Sequence, residues 1–382
     1  MNLLDRHIFK SVLAACATAV ALFAFVVALP NVVKDLLTPL LAGQIEAGTF
    51  ARLVLLLIPY AISYALPMGI LTGVLLTLGR LSADSEVTAM RAAGISAFRV
   101  ARPVFILGLA GLAGAVFINF ETMPWARVQY QREFEAAVRA DPLKLIVPRT
   151  FIRDFRGYVV YVGDKEGTLL RDIWIWELDD QYRVQRIIRA EAGRLDFDPA
   201  TNSLIPTLVR AKVEDRDPGR PEDFDKSPRI ASVEKLEKLQ VSLDPFFGRE
   251  LRRMKEEWLT YGQLRDKQAG MAAETPATPE AAVDLNRARM RIQLVIQEKF
   301  NMSLAVFSFA LIGVPLGIKV SRRETSANLG VALVLVLSYY MLTVMVKWLD
   351  RHPEFRPDLL LWLPNLFLIA LGICLFRRIE RG

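Results

Sequence analysis

Gly79-Arg80-Leu81-Ser82-Ala83-Asp84-Ser85-Glu86-Val87-Thr88-Ala89-Met90-Arg91-Ala92-Ala93-Gly94-Ile95-Ser96 is a polar island between two long apolar runs. Ionisable side chains are costly in hydrocarbon, so the stretch must join two membrane spans on one side of a bilayer. Its grammar predicts one short helix. Ser82 is the expected N-cap, Asp84 and Glu86 lie in the first turn, Arg91 in the last, and Gly94 at C′. Ala83, Val87 and Met90 then share a face. Glu86 meets Ser82 at i−4, Ala89 at i+3 and Met90 at i+4, so no basic residue of its own helix neutralises it. Its carboxylate is available to a group outside that helix.

Outward from this island, six uncharged runs approach or exceed the ~20 residues needed to cross a membrane: Val12–Leu29, Leu53–Leu78, Pro103–Phe120, Phe300–Ile318, Thr325–Val346 and Leu359–Phe376. Hydrophobic residues at 53% and a positive mean hydropathy agree with a membrane protein. Arg6 and Lys10 precede the first run as in a signal peptide, but the run is long and no small-residue cleavage site follows, which predicts a retained span. Arg6, Lys10, Arg80, Arg91, Arg99, Arg102, Lys319, Arg322, Arg323, Arg377, Arg378 and Arg381 flank the spans on one side. Lys34, Arg52, Lys347, Arg351 and Arg356 flank them on the other. Twelve against five places both termini and the 79–102 loop in the cytoplasm.

Residues 121–298 turn abruptly polar, and the same count places them outside. Short β-like runs follow one another there: Thr150–Phe155, Tyr158–Val162, Asp172–Leu178, Val184–Ala190, Arg194–Phe197 and Leu204–Val213, punctuated by turns at Arg156-Gly157 and Asp198–Ser203. An antiparallel sandwich or jelly roll is expected. Asp172–Leu178 carries large apolar groups on both faces, as in a strand between two sheets or one lining a groove that shields acyl chains. Glu121–Arg139 and Leu285–Glu298 are helical in pattern and predict stalks. Asp215–Pro228 reads as a loop and Gly270–Pro279 as a flexible insert. The expected organisation is three spans in 1–120, a β domain in 121–298 and three spans in 299–382.

Chemistry of its own is hard to find in the chain. There is no Gly-x-x-x-x-Gly-Lys-Ser/Thr phosphate loop, no Gly-x-Ser-x-Gly and no His-Glu-x-x-His. His7 and His352 fall on opposite sides of the bilayer, and Cys16 and Cys374 lie in apolar runs, so neither a joint metal site nor a disulfide framework is offered. The net charge of +7 is scattered beside the spans, which argues against nucleic acid. Catalytic, cofactor and metal sites are therefore expected to be absent. The span cores contain no Asp, Glu, Lys, Arg or His, which points to an energy source on another chain. Pro59, Pro67 and Gly69 in the second run and Gly313, Pro315 and Gly317 in the fourth read as helix kinks. Gly108, Gly111 and Gly114 form a stripe for close helix contact. Lys34, Arg52, Arg127 and Arg132 at the outer membrane edge are snorkelling anchors or, if they converge, a site for phosphate on an amphiphile.

The chain resembles the LptF/LptG (YjgP/YjgQ) family of lipopolysaccharide export permeases. The resemblance is carried by Leu78–Glu86 with Met90–Ser96, by Pro67, Pro315-Leu316-Gly317 and Tyr339-Tyr340, and by Trp362-Leu363-Pro364-Asn365. It implies six transmembrane helices with an extracytoplasmic, jellyroll-like all-β domain inserted between helices 3 and 4. It also implies a place in the inner membrane of a Gram-negative bacterium. A paralogous six-span permease would complete a heterodimer on an LptB-type ATPase dimer, which holds ATP and Mg; no cofactor is expected on this chain. The 79–102 loop would supply the coupling helix, with Ser82, Asp84, Glu86, Met90 and Arg91 at the ATPase, and transmit its closure into the second and third spans. Lipopolysaccharide would enter between the permeases beside the first and fifth spans and leave through the β domains to LptC- and LptA-type proteins. Lys34 lies where the family contacts lipid A phosphates, and Arg52, Arg127 and Arg132 are further candidates. The 79–96 block leans towards the LptF branch. A membrane subunit that conveys ATP-driven motion without transport, or a sensor or scaffold without energy coupling, are the rival readings.

Overall fold

The computed structural model describes residues 3–140, 142–153, 155, 157–179, 181–198, 203–216, 227–236, 241–242, 255–274, 278–318, 325–351 and 353–381. Its internal contacts divide the chain into two units. One comprises Met1–Lys34, Val54–Tyr130 and Glu256–Gly382; the other comprises Asp35–Leu53 and Gln131–Lys255.

Among the described residues six helical segments are long and apolar enough to span a membrane: Leu3–Leu41, Ala47–Ala83, Ala97–Ala137, Pro279–Ile318, Gly330–Lys347 and Pro357–Glu380. The fourth is the centre of the first unit. Its most apolar window is 78% buried, against 17%, 22% and 28% for the first, fifth and sixth. Small residues let the backbones approach it, because lipid supplies no hydrophobic drive between helices and close contact must replace it. A Cβ at Gly317 would lie 2.8 Å from Leu78 Cβ, and one at Gly313 3.0 Å from Val74. On the second span, a Cβ at Gly73 would lie 2.5 Å from the Cys16 backbone. The glycines expected to kink these helices are thus contact points, and the helices Ala47–Ala83 and Pro279–Ile318 run on through Pro59, Pro67 and Pro315. Gly108 and Gly111 of the expected stripe meet Ala310 and Val306, whereas Gly114 faces open space.

In the second unit the described strands form one antiparallel sheet in chain order: β1 (Phe151–Ile152), β2 (Tyr158–Glu166), β3 (Leu169–Leu178), β4 (Val184–Asp198), β5 (Ser203–Asp215) and β6 (Arg229–Leu236), with β7 (Val241–Ser242) also beside β5. Ile152, Val160, Ile173, Ile175, Ile188 and Leu208 are buried on one face, with Phe134 and Leu143 packed against them. Two expected strands, Val184–Ala190 and Arg194–Phe197, are a single strand, β4. Alternation misled there. Burial changes phase at Asp172 in β3, Glu191 in β4 and Arg210 in β5. These three positions align across the sheet while the register on either side is unchanged. Asp172 and Arg210 both have φ of 51°, and Arg210 pairs with Glu191 at 2.6 Å. The result is a crease crossing three strands, the kind of bend by which strands turn a corner. Beside it, a Cβ at Gly193 would lie 2.7 Å from Ile173 Cδ1, so a core side chain occupies the space a larger residue would need.

The two-faced strand is resolved by β3. Ile173 and Ile175 enter the core, and Trp174 and Trp176 stack on the other face at 5.8 Å, with Phe151 next to Trp176 and the Arg189 guanidinium 4.4 Å over Trp174. The β3–β4 turn is tied by Asp179, which accepts the Gln181 and Arg183 backbone N–H groups. The Arg183 N–H, and then its guanidinium, hold that carboxyl below the usual carboxylate range. The expected flexible insert begins inside a helix, Tyr261–Ala273, which opens with a Thr260/Gln263 capping box; residues 275–277 lie outside the described residues. Most of the expected 215–228 loop lies outside them too.

Candidate functional site

The polar island folds differently from its sequence grammar at one end. The second span's helix continues through Ser82 to Ala83, and the short helix is Glu86–Ala92, preceded by Ser85 in the left-handed region at φ 63°. Ser82 is therefore not its N-cap, and Ala83 does not share its face. The Ser82 hydroxyl instead donates to the Ile318 carbonyl at 2.7 Å, at the C-terminus of the fourth span. The other end is as expected. Gly94 sits at φ 80°, with Gly94 N–H donating to Arg91 O and Ile95 N–H to Met90 O, a complete Schellman closure.

Val87 anchors this helix. It is 3% exposed in an apolar cluster with Leu78, Leu81, Val100, Val104, Val314 and Ile318, and Met90 packs against the same cluster. Arg91 turns back to its own chain, its guanidinium donating to the Ile379 carbonyl at 3.1 Å. Asp84 and Glu86 face outward and are exposed. Among the described residues Glu86 has no hydrogen-bonded or ionic partner. The arrangement is an anchored helix that presents an unpaired carboxylate in its first turn, where the helix dipole favours negative charge.

Comparison with known proteins gives the family. The family model described as lipopolysaccharide export system permease LptF/LptG matches residues 6–378. This chain belongs to the LptF/LptG family. The permease protein LptF of Escherichia coli K12 is 24% identical over 341 residues, covering 87% of this chain and 83% of that protein; the Shigella flexneri LptF gives the same figures. The LptG of Haemophilus influenzae is 28% identical over 208 residues, covering 53% of this chain and 57% of that protein.

In this LptF/LptG family member the four candidate phosphate-binding cations divide between the units, Lys34 and Arg127 in the first, Arg52 and Arg132 in the second. Lys34 and Arg132 are exposed. Arg52 is engaged, 3.4 Å from Glu133 and donating to Thr49. Arg127 lies with its guanidinium 4.2 Å over the Tyr60 ring, and its buried Nε has no hydrogen-bond acceptor among the described residues.

Sequence reasoning missed a polar knot in the first unit because the fourth span was cut at Phe300, one residue past its lysine. Lys299 is 6% exposed and donates to Asn119 O at 3.0 Å and Leu259 O at 2.9 Å. Asn119 is bonded in turn to Ser63 and Ser303. Glu298 pairs with Lys347 of the fifth span at 2.7 Å. Tyr339 OH and Asn365 both donate to Asn301 O, so the fourth, fifth and sixth spans meet at one carbonyl. Only the i, i+1 polar pair Glu298-Lys299 at a span edge signalled this. Because the Glu298 side chain is 14% exposed, Lys347→Ala strands a mostly buried carboxylate and should cost about 1–3 kcal/mol after allowance for the half-exposed lysine. Glu298→Gln, whose amide oxygen still accepts from Lys347, should cost less. Thermal unfolding in detergent checks the order, and an unchanged midpoint in Lys347→Ala would show that the pair contributes nothing.

Proposed function

We propose that this chain is one of two permease subunits of an inner-membrane exporter that extracts lipopolysaccharide and passes it to a periplasmic bridge. The observation that carries the reading is the anchored Glu86–Ala92 helix with its outward, unpaired Glu86, in a chain that matches the permease family almost end to end. A separate LptB-type ATPase dimer, holding ATP and Mg, receives that carboxylate in a basic groove. A paralogous permease completes the heterodimer, and the longer match to LptF favours that branch for this chain.

Both termini lie in the cytoplasm and the β unit in the periplasm, as the distribution of Lys and Arg supports. The unit is a jellyroll-like insertion between the third and fourth spans that hands lipid to LptC- and LptA-type proteins. The crease through Asp172, Glu191 and Arg210 supports a sheet that curls in this way.

The deciding experiment reconstitutes the chain with its partner permease and ATPase in proteoliposomes holding lipopolysaccharide. ATP-dependent release to a soluble acceptor is expected. Hydrolysis without release would leave a motion-transmitting subunit, and absence of any co-purifying ATPase would leave a sensor or scaffold. Lys34→Asp should cut lipopolysaccharide stimulation of the assembled ATPase several-fold, since an exposed cation at the outer end of the first span becomes an anion facing phosphate. Unchanged stimulation would make Lys34 a membrane anchor.

A further inference from the structure

Helix C-termini leave carbonyls without intrahelical partners, and cationic or hydroxyl donors that cap them fix whatever carries those donors to the end of the helix. Two such caps come from the polar island. Ser82 Oγ donates to Ile318 O at the end of the fourth span, and the Arg91 guanidinium donates to Ile379 O near the end of the sixth. Apolar contact runs alongside both, because Val87 shares its buried cluster with Val314 and Ile318, and Met90, Phe376 and Ile379 pack against that cluster. The fifth span contributes no residue to this cluster among those described. Its buried Ala332, Val336 and Tyr339 belong to a second cluster with Leu71, Phe309 and Leu368. Its described side-chain ties to other elements, through Tyr339, Tyr340 and Lys347, go to Asn301 and Asn365, to Tyr64, and to Glu298 and Glu257.

We infer that Ser82, at the end of the second span's helix just before it, and Arg91, within it, are positioning residues that yoke the Glu86–Ala92 helix to the fourth and sixth spans. Displacement of that helix then moves the fourth and sixth spans directly and the fifth span only indirectly, through the second, fourth and sixth spans it packs against. This rests on the permease reading for its meaning in export. It also revises the expected roles of both residues: they hold the helix from behind and do not meet the ATPase. It further adds the fourth and sixth spans to the second and third as the route of motion.

The test uses the complete complex in nanodiscs and two readouts. Spin labels at Ala92→Cys and at the native, exposed Cys374 of the sixth span report the yoke itself, with Cys16 buried and unlabelled. The distance between them should stay the same in nucleotide-free and ATP-trapped states, and should broaden or shift in Arg91→Ala. In export assays, Ser82→Ala combined with Arg91→Ala should keep the ATPase at normal stoichiometry while lipopolysaccharide released per ATP hydrolysed falls at least about five-fold. Ser82→Thr with Arg91→Lys, which keep both donors, should restore at least half. A label distance that changes with nucleotide in the unsubstituted helix overturns the yoke, whatever the export result. So does loss of ATPase binding in the alanine variant, which would put these residues in the docking face. A constant distance in a complex that releases no lipid would instead defeat the export reading and leave the yoke standing.

Discussion

Gly73→Leu is expected to cut the yield of folded, monodisperse protein about ten-fold or more, and Gly114→Leu to leave it within about two-fold. At Gly73 a Cβ would lie 2.5 Å from both Cα and N of Cys16 and 2.6 Å from its Sγ, and at Gly69, one turn earlier, 2.7 Å from Val20 Cα. These obstacles are backbone atoms of the first span, so no rotamer change relieves them and the helices must separate. Separation strips contact from Val12, Cys16, Ile70 and Val74, all buried together. Overpacking in a core whose side chains can yield costs about 1–3 kcal/mol, and a clash with backbone lies at or above the top of that range. A loss of even 1–2 kcal/mol changes a folded-to-unfolded ratio by a factor of about 5–30. Among the described residues Gly114 has nothing within 4 Å of a built Cβ, and it is the internal control. Size-exclusion chromatography of detergent extracts makes the comparison. Normal accumulation of Gly73→Leu would mean that the first two spans do not approach as described.

Glu86→Lys has the second large expected effect, on assembly and not on folding. The residue is exposed in the first turn of its helix and has no partner among the described residues, so the chain itself loses only the favourable carboxylate–dipole interaction, about 0.3–1 kcal/mol. On the proposed reading, in which a partner ATPase offers a basic groove, a lysine replaces attraction with repulsion at a cost of about 1–3 kcal/mol, or roughly 5–150-fold in affinity. Glu86→Gln removes the charge without the clash and should fall between. Binding of the purified ATPase to permease in nanodiscs, with thermal unfolding of the permease alone as control, separates the two costs. A Glu86→Lys variant that assembles and exports normally would reduce Glu86 to a solvated helix residue.

How much of this was readable before the structure differs from element to element. The spans were legible because length and apolarity suffice for a helix in lipid, where every backbone group must be satisfied locally. The Gly94 closure was legible because a positive φ at a helix end selects glycine. Ser82 was misread because the rules for an N-cap depend on where the preceding helix stops, and tertiary contact with Ile318 extends that helix past the apolar run. β4 was split because the Glu191 crease interrupts alternation, and nothing local tells a crease from a turn. The bond from Arg91 to Ile379 was not legible because Ile379 lies 288 residues away in sequence.

The sequence by itself determined the membrane class, the six spans and the lack of a partner for Glu86 on its own helix, because hydropathy and helix periodicity act over a few turns of chain, and its motifs carried the family resemblance. Only the tertiary structure decided which glycines are contact points, how Lys299 and Glu298 are satisfied, and which spans the short helix is tied to. Those outcomes depend on which backbone comes within a few ångströms of which, and that is a property of packing between segments far apart in the chain.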